Sequence, residues 1–505
     1  MTALPRGGTL VIGAGPEMHS GLTSAVTSAG TAQIISAKLF DGLLSYDEHF
    51  GPQPQLATSW DIAEDGLSLT LHLRRGVTWH DGKPFTSRDV AFSAMEVWKK
   101  YHSRGRTTFA NVVSVDTPDS LTAVLRLSQP APYLLGALTS SLEAQVIPEH
   151  IYAGTDVTTH PANAAPIGTG PFRFVRWEPG DHVLLERNPD YWDAPRPWLD
   201  KLLFRFIADP AATSSALENG ELHLADDYGV SFPNIARLSR DPNLVVTSHP
   251  STYNTWVAAF EFNLDRPIFK DLRVRQAFAH AFDRDVIVKD IWHGHAEATE
   301  TPIPPAFPAF HSDAVPRYAF DLAKAEALLE AAGFKRDALG VRLTLTAYPE
   351  PTGALGVLAV HLRENLRTIG VCVQIHTSDF GNFVDRTYTA RDFDTIFYSA
   401  NAGPDPAIGV QRFYWSKNFK RGVAFSNASN YRNAEVDRLL EEGQTETDPK
   451  RRRAIYAEFQ RIVQTDLPRI PLLAPHTVTV ARREVLNFGS NQVLLGNFSE
   501  LALAR

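Results

Sequence analysis

Thr9-Leu-Val-Ile-Gly-Ala-Gly-Pro-Glu-Met18 is the stretch most suggestive of cofactor chemistry, an apolar strand running into Gly13-Ala14-Gly15. Dinucleotide-binding folds open this way, because glycines let the backbone approach a pyrophosphate. The third glycine of that fingerprint would fall at Met18, whose long side chain blocks the close helix-to-strand contact. A dinucleotide-binding oxidoreductase, secreted or cytoplasmic, therefore stands as the alternative reading only. His293-Gly-His295 could offer two imidazoles to a metal, but no thiolate or close carboxylate pair accompanies them. A surface pair is expected there, with no metal and no cofactor. Trp79-His80-Asp81 invites a catalytic role, yet a strand-end tryptophan beside a hydrogen-bonded turn is the expectation. His-Glu-x-x-His and Gly-x-Ser-x-Gly are both absent, which removes two hydrolase signatures.

Composition narrows the class further. Of 505 residues, 44% are hydrophobic and 21% charged, the balance of a globular chain with about three domains. A formal charge of -8 argues against nucleic acid as a partner, since phosphate binding needs a basic surface. Cys372 is the single cysteine, so no intrachain disulfide can form. Flanked by Val371 and Val373, it reads as a buried strand thiol. No run approaches the ~18 apolar residues of a membrane span. The opening Met1-Thr-Ala-Leu-Pro-Arg-Gly-Gly has no apolar leader core, so the protein is either cytoplasmic or shorn of its secretion signal.

The elements that must position such residues are legible by period. Thr9–Ile12 reads as a buried strand, and residues 67–74 and 341–348 alternate as half-buried strands. Asp81-Gly-Lys-Pro84 is turn chemistry, after which Ser87 caps a helix running through Met95. Asp321 caps a helix to Ala332 that Gly333 can end. A helix near 353–368 and a strand near 371–376 follow in β-α-β order, and two further helices span 433–443 and 448–464. The fold class is α/β, with sheets covered by helices.

Several blocks in order resemble the peptide/opine/nickel family of solute-binding proteins of ABC importers. They are Gly7-Gly-Thr-Leu-Val-Ile12, Leu39-Phe-Asp-Gly-Leu-Leu44, Pro54-Gln-Leu-Ala-Thr-Ser-Trp60 and Leu73-Arg-Arg-Gly-Val-Thr-Trp-His-Asp-Gly-Lys-Pro-Phe-Thr86. Ile167-Gly-Thr-Gly-Pro-Phe172, Glu186-Arg-Asn-Pro-Asp-Tyr-Trp192, Phe269–Ala277, Asn433–Asp437 and Asp466-Leu-Pro-Arg-Ile-Pro-Leu472 complete the set. The resemblance implies a periplasmic binding protein of the cluster C type: two lobes, a hinge and an inserted domain, closing on ligand. By that analogy 1–42, 170–258 and 479–505 form the first lobe, 43–169 the inserted domain and 259–478 the second lobe. It also implies no enzymatic activity, a small-molecule ligand and a transmembrane permease as partners, no membrane insertion and a monomer. Gly168 and Gly170 are expected to supply positive-φ turns. Asp271, Arg273 and Arg275 could form an ion-pair network, with ordinary solvated charge the simpler expectation.

The resemblance also points to a cleft. Phe397-Tyr-Ser-Ala-Asn-Ala-Gly-Pro-Asp-Pro406 is similar to a family stretch in which peptide-binding members set an aspartate on the ligand's ammonium. Anchored on Asp405-Pro406, that aspartate becomes Ala402, which puts an ordinary α-amino peptide in doubt. No histidine lies between His376 and His476, which disfavours the nickel complexes of other relatives. The remaining candidates are aromatic, amide and basic: Tyr253, Asn254, Trp256, Tyr398, Asn401, Arg412, Tyr414, Trp415 and Arg421. They favour an anionic or polar solute such as an opine-like conjugate or oligosaccharide, with peptide-like ligands still open.

Overall fold

The computed structural model describes residues 4–15, 17, 21–27, 29–47, 51–226, 229–250, 256–488 and 495–504. The chain divides into two compact units, Met1–His249 with Thr477–Arg505, and Pro250–His476. Met18 lies outside the described residues.

In the first unit, β1 (Thr9–Gly13) leads to α1 (Gly30–Leu39). A separate antiparallel sheet follows, built from β2 (Ala57–Ile62), β3 (Ser68–Leu73), β4 (Val112–Asp119) and β5 (Thr122–Leu127) in the order β2-β3-β5-β4. The strict alternation of Ser68–Leu73 buries Leu69, Leu71 and Leu73 on one face. The helix expected from Ser87 is capped one residue earlier: the Thr86 amide donates to Asp89 Oδ2 at 2.9 Å, the reciprocal half of a capping box.

The chain then returns as β6 (Phe172–Glu178), β7 (His182–Arg187) and β8 (Lys201–Arg205), followed by α2 (Pro210–Asn219) and β9 (Leu224–Asp226). β1 pairs in parallel with β8 and β9. Among the described residues the parallel partner of β1 nearest in sequence begins at Lys201, so they build no tight β-α-β crossover of a dinucleotide fold after β1. Asp209 caps α2 through the Ala211 amide, and Gly220 at φ 79° ends it. Its Ala216 and Leu217 pack on Leu222, Ala225, Val478 and Val480.

Gly168 and Gly170 are not among the positive-φ residues, against expectation. Their role is close approach. A Cβ on Gly168 would stand 1.8 Å from the Leu39 carbonyl oxygen, and one on Gly170 2.6 Å from Leu39 C. His80 pins both: Nδ1 accepts from the Gly168 amide at 3.1 Å, and Nε2 donates to the Gly170 carbonyl at 3.0 Å. Burial pushes the imidazole down to about 4, so it stays neutral in this tautomer. Trp79 is buried edge-on to Phe85, as a structural residue should be.

The second unit contains β10 (Trp256–Phe262), α3 (Leu272–His280), α4 (Leu322–Ala331), β11 (Leu343–Pro349), α5 (Leu355–Thr368), β12 (Val371–Ile375) and β13 (Thr395–Asn401). It closes with α6 (Ala434–Thr445), α7 (Pro449–Asp466) and β14 (Arg469–Arg482), whose N-terminal part belongs to this unit. The sheet order is β12-β11-β13-β10-β14, with β11 parallel to both neighbours and the other pairs antiparallel. Asp321, Asn433 and Asp448 cap α4, α6 and α7 through backbone amides. Gly443 lets α6 close on α7, since a Cβ there would meet the Tyr456 ring at 2.9 Å.

Cys372 is exposed, contrary to expectation. Side chains alternate along β12, so burying Val371 and Val373 turns the residue between them outward at the sheet edge. Asp271 caps α3 and pairs with Arg273 at 2.6 Å, whereas Arg275 donates to the Asp466 carbonyl at 2.9 Å. Asp271 and Arg273 thus form one exposed pair, the simpler of the two expectations, and Arg275 makes a helix-end contact. His293 is exposed at φ 50°, and no metal-holding group of three His, Cys, Asp or Glu occurs among the described residues. No described helix is long and apolar enough to cross a membrane.

Candidate functional site

The sheet of the second unit has two unlike faces. Alternation along β10 sends Phe260 and Phe262 to one side, where Phe260 meets Phe278, Phe282 and Phe397 with ring centroids 4.9–5.7 Å apart. Val257, Ala259 and Glu261 face the other side. Register places Ala259 opposite Tyr398 and Pro471, and Glu261 opposite Ile396 and Arg469. One face is thus hydrocarbon and the other carries buried charge.

Glu261 and Arg469 pair at 2.7 Å, with side chains 0% and 4% exposed. Burial pushes the Glu261 carboxyl up and the Arg469 guanidinium down, and each opposes the shift of the other. The guanidinium also lies over the rings of Tyr398, Phe413 and Tyr414 at 5.0, 4.6 and 4.7 Å. Beside it opens a small pocket floored by Val257, Ala259, Ala400 and Ala402 and walled by Phe413, Tyr414 and Arg469. Its free space is about 10 Å³, room for one water. Since the guanidinium is already matched by Glu261, the pocket wall carries no net charge of its own.

Of the residues expected at a ligand site, Tyr253 and Asn254 lie outside the described residues. Trp256 opens β10 opposite Asn401, whose side-chain oxygen accepts from the Gly403 amide at 2.7 Å. Ala402 and Tyr414 line the pocket, and Tyr398 is fully buried under Arg469. The other three stand apart. Arg412 Nε donates to the Phe425 carbonyl at 2.9 Å, and the Trp415 indole donates to Glu441 on α6 at 2.8 Å. Arg421 sits on the exposed surface. Asp405, used as the anchor for locating Ala402, is itself clamped by Arg452 through two bonds of 2.6 and 2.7 Å.

Sequence reasoning missed Glu261, Phe413 and Arg469. A usable signal was present: Glu261 and Arg469 are lone charges inside the apolar runs Trp256–Phe262 and Pro468–Leu473. Such a charge must be paired if the run is a central strand.

Three comparisons bear on this arrangement. The family described as "Bacterial extracellular solute-binding proteins, family 5 Middle" matches residues 51–421. The chain is 32% identical over 468 residues to a Brucella ovis protein whose name reads as an ABC transporter peptide-binding protein, covering 89% of this chain and 84% of that one. Its structure is similar to that of NikZ from Campylobacter jejuni in complex with Ni(L-His), with a TM-score of 0.85, 26% identity and coverage of 98% and 99%. DppA from Helicobacter pylori in complex with the peptide STSA gives a TM-score of 0.84 at 25% identity, covering 99% of each chain. These relatives are binding proteins, and the oxidoreductase alternative finds no support among them.

Proposed function

The chain belongs to family 5 of the bacterial extracellular solute-binding proteins and is the solute-binding component of an ABC importer; from that premise we propose that it captures a small polar ligand against the neutral wall around Ala402. The ligand classes that fit are opine-like conjugates, oligosaccharides and peptide-like molecules, the last supported by the names of the relatives. The observation that carries the reading is that Ala402 lines a pocket whose one guanidinium is already held by Glu261. Such a wall accepts a neutral portion of a ligand, because a bare ammonium or carboxylate would find no counter-charge there. Arg412 and Arg421, which would favour an anion, lie outside the pocket lining.

The protein acts in the periplasm as a monomer that hands its ligand to permease subunits. Residues 43–169 form a domain inserted in the first lobe, a reading supported by the separate sheet of β2–β5.

Native mass spectrometry of freshly purified protein should reveal one retained solute per chain. Ala402→Leu fills the space of the single water and is expected to weaken recapture of that solute about tenfold or more, measured calorimetrically. Unchanged affinity would remove the pocket from the ligand site. Steady consumption of the solute by pure protein would instead restore a catalytic reading.

A further inference from the structure

Among the described residues, three carboxyls are buried without an ion pair to a base: Asp41, Asp89 and Glu350. Two of them are saturated by neutral donors. Asp41 accepts from Gln55, Tyr191, Trp192 and Asn497 at 2.7–3.2 Å. Asp89 accepts from the Thr86 and Glu149 amides, both at 2.9 Å, and from the Thr86 hydroxyl at 3.3 Å. Glu350 is different. It accepts from the Ser399 amide at a long 3.2 Å and from the Thr352 side chain, although an ionised carboxylate offers about four acceptor sites.

Its position adds a second line of argument. Glu350 follows β11 directly, at the carboxyl end of that parallel strand, where open α/β sheets place their ligands, and beside the middle of its neighbour β13. Its amide bonds the Phe397 carbonyl at 2.8 Å, which puts it beside Tyr398 on the charged face. Ala259 and Pro471, in the same row across the sheet, belong to the pocket. β13, the strand next to Glu350, carries Ala400 of the pocket floor, so one strand spacing, about 5 Å, separates the two across the sheet. The hydroxyls of Tyr388 and Tyr398 are buried close by with no hydrogen-bond partner among the described residues.

We propose that Glu350 is the acceptor for a cationic nitrogen of a peptide-like ligand whose neutral part lies against the Ala402 wall. The acid is 6% exposed, so bulk water is largely kept from it. Burial without a cation pushes its carboxyl up to about 7, and an ammonium at contact distance would return it to the ionised form. The charge that Ala402 does not provide is thus supplied from the neighbouring strand end. This inference rests on the Ala402 wall being part of the ligand site.

The test compares wild type with Glu350→Gln, both freed of retained solute, against a pool of di- and tripeptides and the same pool N-acetylated. Wild type should hold free-amine peptides, and Glu350→Gln should bind them about 30-fold more weakly or worse. The acetylated pool should bind weakly to both, and Glu350→Asp should recover part of the loss. Equal capture of the two pools by wild type, capture of neither, or unchanged affinity in Glu350→Gln would overturn the proposal. Ala402→Leu separates the two readings. If it weakens binding while Glu350→Gln does not, the wall stands and the Glu350 assignment fails; if it has no effect, the wall reading fails on its own.

Discussion

Asp41 in the first unit and Glu350 in the second are both buried acids without a basic partner, and burial pushes their carboxyls up to about 6 and about 7. Their surroundings differ. Asp41 is closed in by two indole or phenol donors and two amides, one of which, Asn497, belongs to the C-terminal segment. Among the described residues, Glu350 has a single backbone amide and one hydroxyl, beside two phenols without a hydrogen-bond partner. A raised carboxyl therefore does not by itself mark function. The count of unfilled acceptor positions separates a structural knot from a site with room for a ligand group.

Asp41→Ala should show the largest effect. It leaves four donors, one buried and three partly buried, facing a methyl group, at about 1 kcal/mol each. A loss of about 4 kcal/mol is expected in denaturant unfolding. A loss below about 1 kcal/mol would mean that Asp41 is not the closed knot described here.

Glu350→Gln should act in the opposite direction. The folded-state value lies above the ordinary 4.5, so the unfolded chain gives up this proton first as pH rises. Ionisation then costs stability progressively between about pH 4.5 and pH 7, up to about 3 kcal/mol. Glutamine removes that cost. The ligand-free variant should therefore melt above wild type at pH 8 and alongside it at pH 4. A lower melting temperature at pH 8 would show that Glu350 already has a stabilising partner, and its likeness to Asp41 would be complete.

What the sequence disclosed follows the range of the forces involved. Local signals were readable. The alternation near 341–348, the Asp321 cap and the terminating Gly333, at φ 91°, all sit where their neighbours dictate. The family blocks led to the binding-protein class because they recur along the whole chain. Ala402, located from the Asp405-Pro406 anchor, is one of the residues around the small pocket of the second unit. Long-range pairings were not readable: Glu261 and Arg469 are 208 residues apart, and only the assembled sheet makes them neighbours. Trp415 and Arg412 have the composition of ligand contacts, but Glu441 and the Phe425 carbonyl hold them in packing roles. Gly168 and Gly170 looked like turn residues because nothing local reveals the helix end pressed against them. Glu350, between Pro349 and Pro351, reads as a loop acid until its burial is seen.

The smallest effects separate the two acids most cleanly, because they involve one hydroxyl apiece. The Tyr191 hydroxyl donates to Asp41 at 3.2 Å and accepts from Asn497 at 3.2 Å. Tyr191→Phe breaks both bonds and leaves Asp41 one donor short, so about 1–2 kcal/mol of stability should be lost. Tyr388 is just as buried, near Glu350, but its hydroxyl has no partner among the described residues. Removing it deletes a buried polar atom at no bonding cost. Tyr388→Phe should therefore stay within about 0.5 kcal/mol of wild type, or stabilise slightly. Paired unfolding curves on the two variants measure the difference directly. Should Tyr388→Phe cost as much as Tyr191→Phe, a buried water or a bond to Glu350 must already satisfy that hydroxyl. The sector around Glu350 would then be closed like that of Asp41, with no unfilled position left for a ligand's amine.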